Sequence, residues 1–125
     1  MANYVDGFVL PLPKKNVQRY TRIASRAAKV WMEHGALAYY ECLGDDLLGL
    51  PFTFPKAARA KADETVMFSW IMYRNKKHRD QVNARVMADP RMLAMMKEQE
   101  KDPLMDHKRM AYGGFRTIVI KTTTN

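Results

Sequence analysis

With 125 residues, 47% of them apolar, the chain is long enough for one two-layer core and too short for two, so one domain over 1–125 is expected. A formal charge of +8 and a pI near 9.7 put nucleic acid among the partners to consider. No apolar stretch reaches the ~18 residues of a membrane span. The opening Met1-Ala2-Asn3-Tyr4-Val5-Asp6 has neither the basic nor the apolar segment of a secretion signal, so a cytoplasmic protein that does not contact membrane is expected. The lone Cys42 cannot form an internal disulfide and reads as a small core residue in a reducing compartment.

In chain order, Tyr4 to Leu10 alternates loosely and predicts a first strand, ended by Pro11-Leu12-Pro13 because proline cannot continue a central strand. From Lys14 to His34, Val17, Tyr20, Ala24, Ala27, Ala28 and Trp31 recur at helical spacing, with lysines and arginines opposite them. Gly35 supplies a helix stop, and Leu37 to Leu43 reads as a second strand. Gly44 to Asp63 is a long connection. It holds a short helix near Lys56–Arg59, an edge strand near Phe52–Phe54 or a flap, and its Leu47, Leu48, Leu50, Phe52 and Phe54 are expected to pack on something.

Glu64 to Tyr73 is the longest apolar run and predicts a strand with two greasy faces. Val66, Phe68, Trp70 and Met72 point one way, and Met67, Ser69, Ile71 and Tyr73 the other. Asn75 caps a helix running to Met87 or Ala88, and Asp89-Pro90 restarts one through Met92, Leu93, Met95 and Met96. Lys97 to Asp106 reads as a surface connection, Met110 to Ile120 as the last strand, and Lys121 to Asn125 as a frayed end.

Strand, helix, strand, strand, helix, strand is the α+β, ferredoxin-like order: a four-stranded antiparallel sheet with helices on one face. That plan leaves the Trp70 face bare. The economical cover is a second copy, giving a homodimer packed sheet face to sheet face.

Several blocks carry a resemblance. They are Tyr4-Val5-Asp6-Gly7-Phe8-Val9, Trp31 to Leu37, Glu41-Cys42 with Gly44-Asp45-Asp46, Asp63 to Trp70, His78-Arg79-Asp80 with Asn83, and Lys108-Arg109-Met110 with Tyr112 to Phe115. In combination the chain resembles the YbaA-like bacterial proteins, domain-of-unknown-function family 1428. The resemblance implies the dimeric α+β barrel fold, in which two ferredoxin-like protomers join by their sheets, and supplies no function.

Candidate chemistry is read from side chains. His34, at the end of the first helix, is either a cap on that helix or half of an acid–base pair with Glu41, Asp45 or Asp46. The catalytic set is His34, Glu41 and Tyr40. Trp31, Trp70, Tyr73 and Tyr112 are candidates to line an aromatic pocket together with Tyr40, with Arg109 as an anion anchor. His78, three residues past the Asn75 cap, is a packed neutral histidine or a ligand contact. The spacing matches no metal-ligand pattern. No Gly-rich phosphate loop, G-x-S-x-G elbow, H-E-x-x-H or cysteine pair is present, so no cofactor is assigned.

Two readings stand side by side. One is a binder or converter of a small apolar or aromatic molecule between sheet and helices. The other is a non-catalytic homodimeric module that meets a protein or nucleic acid through basic helices. Nucleic acid is disfavoured because no basic motif interleaved with aromatics occurs.

Overall fold

The computed structural model describes residues 3–123. The apolar run becomes the ten-residue strand β3 (Glu64–Tyr73), flanked by β1 (Tyr4–Pro13) and β2 (Ala38–Leu43), with β4 (Ala111–Arg116) beyond β1. The sheet order is β2-β3-β1-β4, and every pairing is antiparallel. Helix α1 (Val17–Glu33) joins β1 to β2, a one-turn helix α2 (Phe54–Ala57) precedes β3, and α3 (Lys76–Ala88) and α4 (Pro90–Lys101) lead towards β4.

The two faces of β3 separate as alternation demands. Met67, Ser69, Ile71 and Tyr73 are buried among the helices, with Val30, Val82, Val86, Met92 and Met95 completing much of the core. On the other face Phe68 is 45% exposed and Trp70 and Met72 are half-buried, but Val66 is buried, so this face is not bare along its whole length. Capping fixes the helices locally. The Asn75 side chain accepts from the His78 backbone N–H at 2.8 Å, and Asp89 accepts from the Arg91 N–H at 2.9 Å with Pro90 opening α4, so the segment forms two helices. Gly35, with φ +112°, makes the turn after α1 in the left-handed region that residues with a Cβ avoid.

Four expectations are corrected. First, β1 runs through Pro11 and Pro13. The Lys14 N–H donates to the Asp63 carbonyl at 2.9 Å, so even-numbered residues of β1 donate towards β3 and odd-numbered ones towards β4. Since β4 begins only at Ala111, opposite Val9, no ladder partner awaits a donor at Pro11 or Pro13.

Second, β4 stops at Arg116, opposite Tyr4 at the start of β1. One more bond, Thr117 N–H to the Asn3 carbonyl, closes the pairing, and Ile118, Val119 and Ile120 continue as an exposed arm. The predicted frayed end lies partly outside the described residues. Third, Leu104 and Met105 are buried against Leu10, Leu12 and Met67, so the 97–106 segment is not purely a surface connection. Asn16 holds it by donating to the Leu104 carbonyl at 2.7 Å. Fourth, the 44–63 segment contains only α2, started by the Thr53 cap. Leu48, Leu50 and Phe52 are each more than 70% exposed, so within one chain they pack on little.

Candidate functional site

The site begins with the alternation of β2. Tyr39 and Glu41 turn towards α1, while Tyr40 turns away. Opposite them α1 presents Tyr20 and then the small residues Ala24, Ala27 and Ala28, which leave space where larger side chains would fill it. The Tyr20 phenol donates to Glu41 Oε1 and the Tyr39 phenol to Oε2, each at 2.8 Å. Burial, reinforced by the neighbouring Glu41 charge, raises both phenols well above the ordinary 10, so both remain protonated donors.

This clasp borders a cavity of about 170 Å³ whose other walls include Phe8, Trp31, Ser69, Ile71 and Met110. Clefts of about 310 and 200 Å³ adjoin it and share Tyr20, Tyr39 and Glu41. No lysine or arginine lines any of the three. Among the described residues Glu41 joins no ion pair.

Trp31 connects the cavity to a second buried polar group. Its indole N–H lies 3.1 Å from Tyr73 Oη and 3.3 Å from Asn83 Oδ1, and the Tyr73 hydroxyl donates to the same Asn83 oxygen at 3.0 Å. Asn83 reaches Asp6 at 3.4 Å. Arg79 donates to Asp6 at 2.8 Å and to the Tyr112 hydroxyl at 2.9 Å, its guanidinium lying 4.9 Å from the Tyr4 ring centre. Asp6 is 1% exposed, and its burial raises the carboxyl pKa against the opposing charge of Arg79. The members satisfy one another, as a network that fastens α3 to β1 must.

The predicted site residues divide into groups. Trp31 and Glu41 meet at the cavity, and Tyr73 and Tyr112 lie behind it in the Asp6 network. Tyr40 and Trp70 stack on each other on the outer face, 4.6 Å apart, and so cannot share a pocket with them. The expected pairing of His34 with Glu41, Asp45 or Asp46 is not formed: His34 Nε2 lies 2.8 Å from Asp89 Oδ2, at the junction of α3 and α4. The reason is length. Glu41 meets Tyr20 near the start of α1 and His34 follows its end, about 21 Å away at 1.5 Å per residue.

His78 is buried, and its Nδ1 accepts from the Arg74 N–H at 3.0 Å. Burial, then the charges of Arg74 and Arg85, lower its pKa and favour the neutral ring. Arg109 is already occupied, forming two bonds of 2.7 and 2.8 Å with Glu64 and a third, at 3.1 Å, with Asp106. Tyr20 and Tyr39 were not singled out from the sequence, although the two-residue period of β2 and the inner stripe of α1 already place them with Glu41.

Residues 3–111 match the family described as "Protein of unknown function (DUF1428)". The chain belongs to this family. Its DUF1428 relative in Escherichia coli K12, uncharacterized protein YbaA, is 42% identical over 117 residues, covering 93% of this chain and 97% of YbaA.

Solved structures similar to this DUF1428 chain include a NIPSNAP family protein of unknown function from Agrobacterium tumefaciens. Its TM-score is 0.61 at 13% identity, over 92% of this chain and 87% of that one. SnoaB, a cofactor-independent oxygenase from Streptomyces nogalater, aligns with TM-score 0.54 at 13% identity, over 99% and 97%. Likeness at such identities establishes the fold alone, a four-stranded antiparallel sheet with helices on one face. No helix among the described residues is long and apolar enough to cross a membrane.

Proposed function

We propose that this chain binds a small, largely apolar molecule between α1 and the sheet, with Glu41 as the acceptor that orients it and can take up a proton from it. The observation that carries this reading is the Tyr20–Glu41–Tyr39 clasp beside an otherwise apolar cavity. Pockets of this make-up, mostly hydrophobic with a few convergent polar groups, are where ligands are oriented. Of the residues first expected to act, Glu41 keeps the central role and Trp31 forms part of the wall. SnoaB, with the same fold, is a cofactor-independent oxygenase, which is consistent with a pocket in this layer.

The protein acts as a homodimer in this proposal, the second copy covering the outer face of the sheet. Tyr40, Trp70, Phe68 and Phe54 form a chain of ring contacts there, and Phe115 is 62% exposed on the same face. A contiguous exposed aromatic face marks an interaction surface, and an isologous contact would cover it with the same patch of a second copy. The lone Cys42 and the absence of a membrane-crossing helix among the described residues agree with a cytoplasmic setting.

Native mass spectrometry of gently purified protein tests both parts. A dimer that retains a small-molecule adduct, lost in Glu41→Ala with the dimer intact, is the expected result. An adduct unaffected by Glu41→Ala would remove this site from consideration. Trp70→Glu is expected to yield monomers, and a dimer surviving that change would refute the sheet-to-sheet contact.

A further inference from the structure

The charge in the cavity has one sign. Glu41 supplies a carboxylate, no lysine or arginine lines the cavity or its adjoining clefts, and the one histidine among their walls, His107, lines the cleft of about 200 Å³ and not the cavity itself. A partly buried carboxylate without a counter-ion is unfavourable, and the two phenols relieve only part of the deficit. Each gives one hydrogen bond, whereas a carboxylate has about four acceptor positions. The same cavity is walled by the rings of Phe8, Tyr20, Trp31 and Tyr39, the last two 5.9 Å apart and inclined at 47°. Aromatic faces attract cations and offer nothing comparable to anions.

We infer that the pocket, taken as the ligand site proposed above, receives a small organic ammonium: an amine whose charged nitrogen sits at Glu41 and whose aromatic or alkyl part fills the apolar walls. An anionic ligand is disfavoured twice, by the carboxylate and by phenols whose protons are already committed to it. A neutral ligand gains the apolar contacts and leaves the carboxylate without its counter-ion. The selectivity must be local, because a chain of net charge +8 attracts anions and repels cations at long range.

The test uses benzylamine, benzyl alcohol and benzoate, near-isosteric probes that are cationic, neutral and anionic at pH 7. Amide NMR titration of the intact protein reads affinity and location together. Benzylamine is expected to bind at least about tenfold more tightly than benzyl alcohol, with shifts centred on Tyr20, Tyr39 and Glu41, and benzoate least tightly. In Glu41→Gln the amine preference should fall to within about twofold while benzyl alcohol still binds. Equal affinities for amine and alcohol, or a preference for benzoate, would overturn the ammonium inference and leave the pocket standing. Shifts from none of the probes would overturn both. The three-probe comparison on the native protein decides even if the variant folds poorly.

Discussion

Glu64→Gln is a sharp test of how the two ends of the structure are fastened. Glu64 opens β3 and Arg109 lies two residues before the start of β4. Their two bonds of 2.7 and 2.8 Å are joined by the Lys61 N–H donating to Glu64 Oε1 at 2.7 Å and by Arg109 donating to the Arg59 carbonyl at 2.8 Å. Both side chains are largely shielded, 5% and 11% exposed. The Arg109 bonds, with the Lys61 N–H, hold the Glu64 carboxyl at about 2 against an ordinary 4.5, outweighing its partial burial.

A carboxyl so lowered favours the folded state by about 3 kcal/mol when ionised. The folded value lies below the unfolded one, so this contribution is complete above pH 4.5 and lost as pH falls through about 2. It should be about 2–3 kcal/mol at pH 4 and about 1 at pH 3. Urea unfolding of both proteins at pH 7, 4 and 3 measures it, the difference between them isolating Glu64 from other acids. A gap of about 3 kcal/mol at pH 7 that narrows by more than half at pH 3 is expected. A gap below 1 kcal/mol at pH 7, or one that does not change with pH, would refute the reasoning.

Other changes probe single links. Asn75→Ala removes the acceptor for the His78 N–H and should destabilise by about 1 kcal/mol in urea, with no effect on subunit number; a midpoint within error of the parent would deny the cap its role. Tyr39→Phe leaves Glu41 Oε2 without that donor and should cost about 1–2 kcal/mol. Combined with Tyr20→Phe the losses should be non-additive, because both phenols serve one carboxylate; simple additivity in a double-mutant cycle would contradict a shared clasp.

The fold was legible where one local rule acted alone. Strict alternation assigned both faces of β3, and Asn75 and Asp89 marked two helix starts because their side chains bond within their own segments. Reading failed where the answer lay on a neighbouring strand. Nothing in Pro11-Leu12-Pro13 reports that β4 reaches only as far as Ala111, beside Val9, and nothing in Ile118-Val119-Ile120 reports that the β1–β4 ladder stops at the Tyr4–Arg116 pair. The His34 grouping failed for a related reason: closeness in sequence to Glu41 says nothing of β2 carrying Glu41 to Tyr20 near the start of α1, while His34 stays at its end. A strand cannot turn residues 40 and 41 to the same side, so the alternation of β2 by itself sets Tyr39, and not Tyr40, beside Glu41.

The chain's two tryptophans give it two optical reporters that view different places. Trp31 looks into the layer between sheet and helices, with its indole N–H hydrogen-bonded, while Trp70 lies flat against Tyr40 on the opposite face. Replacing Trp70 with Phe leaves emission that reads occupancy of the cavity. Replacing Trp31 leaves emission that reads whether the outer aromatic face is wet or covered. Concentration-dependent and ligand-dependent changes can therefore be followed on separate channels in the same molecule, without an attached dye.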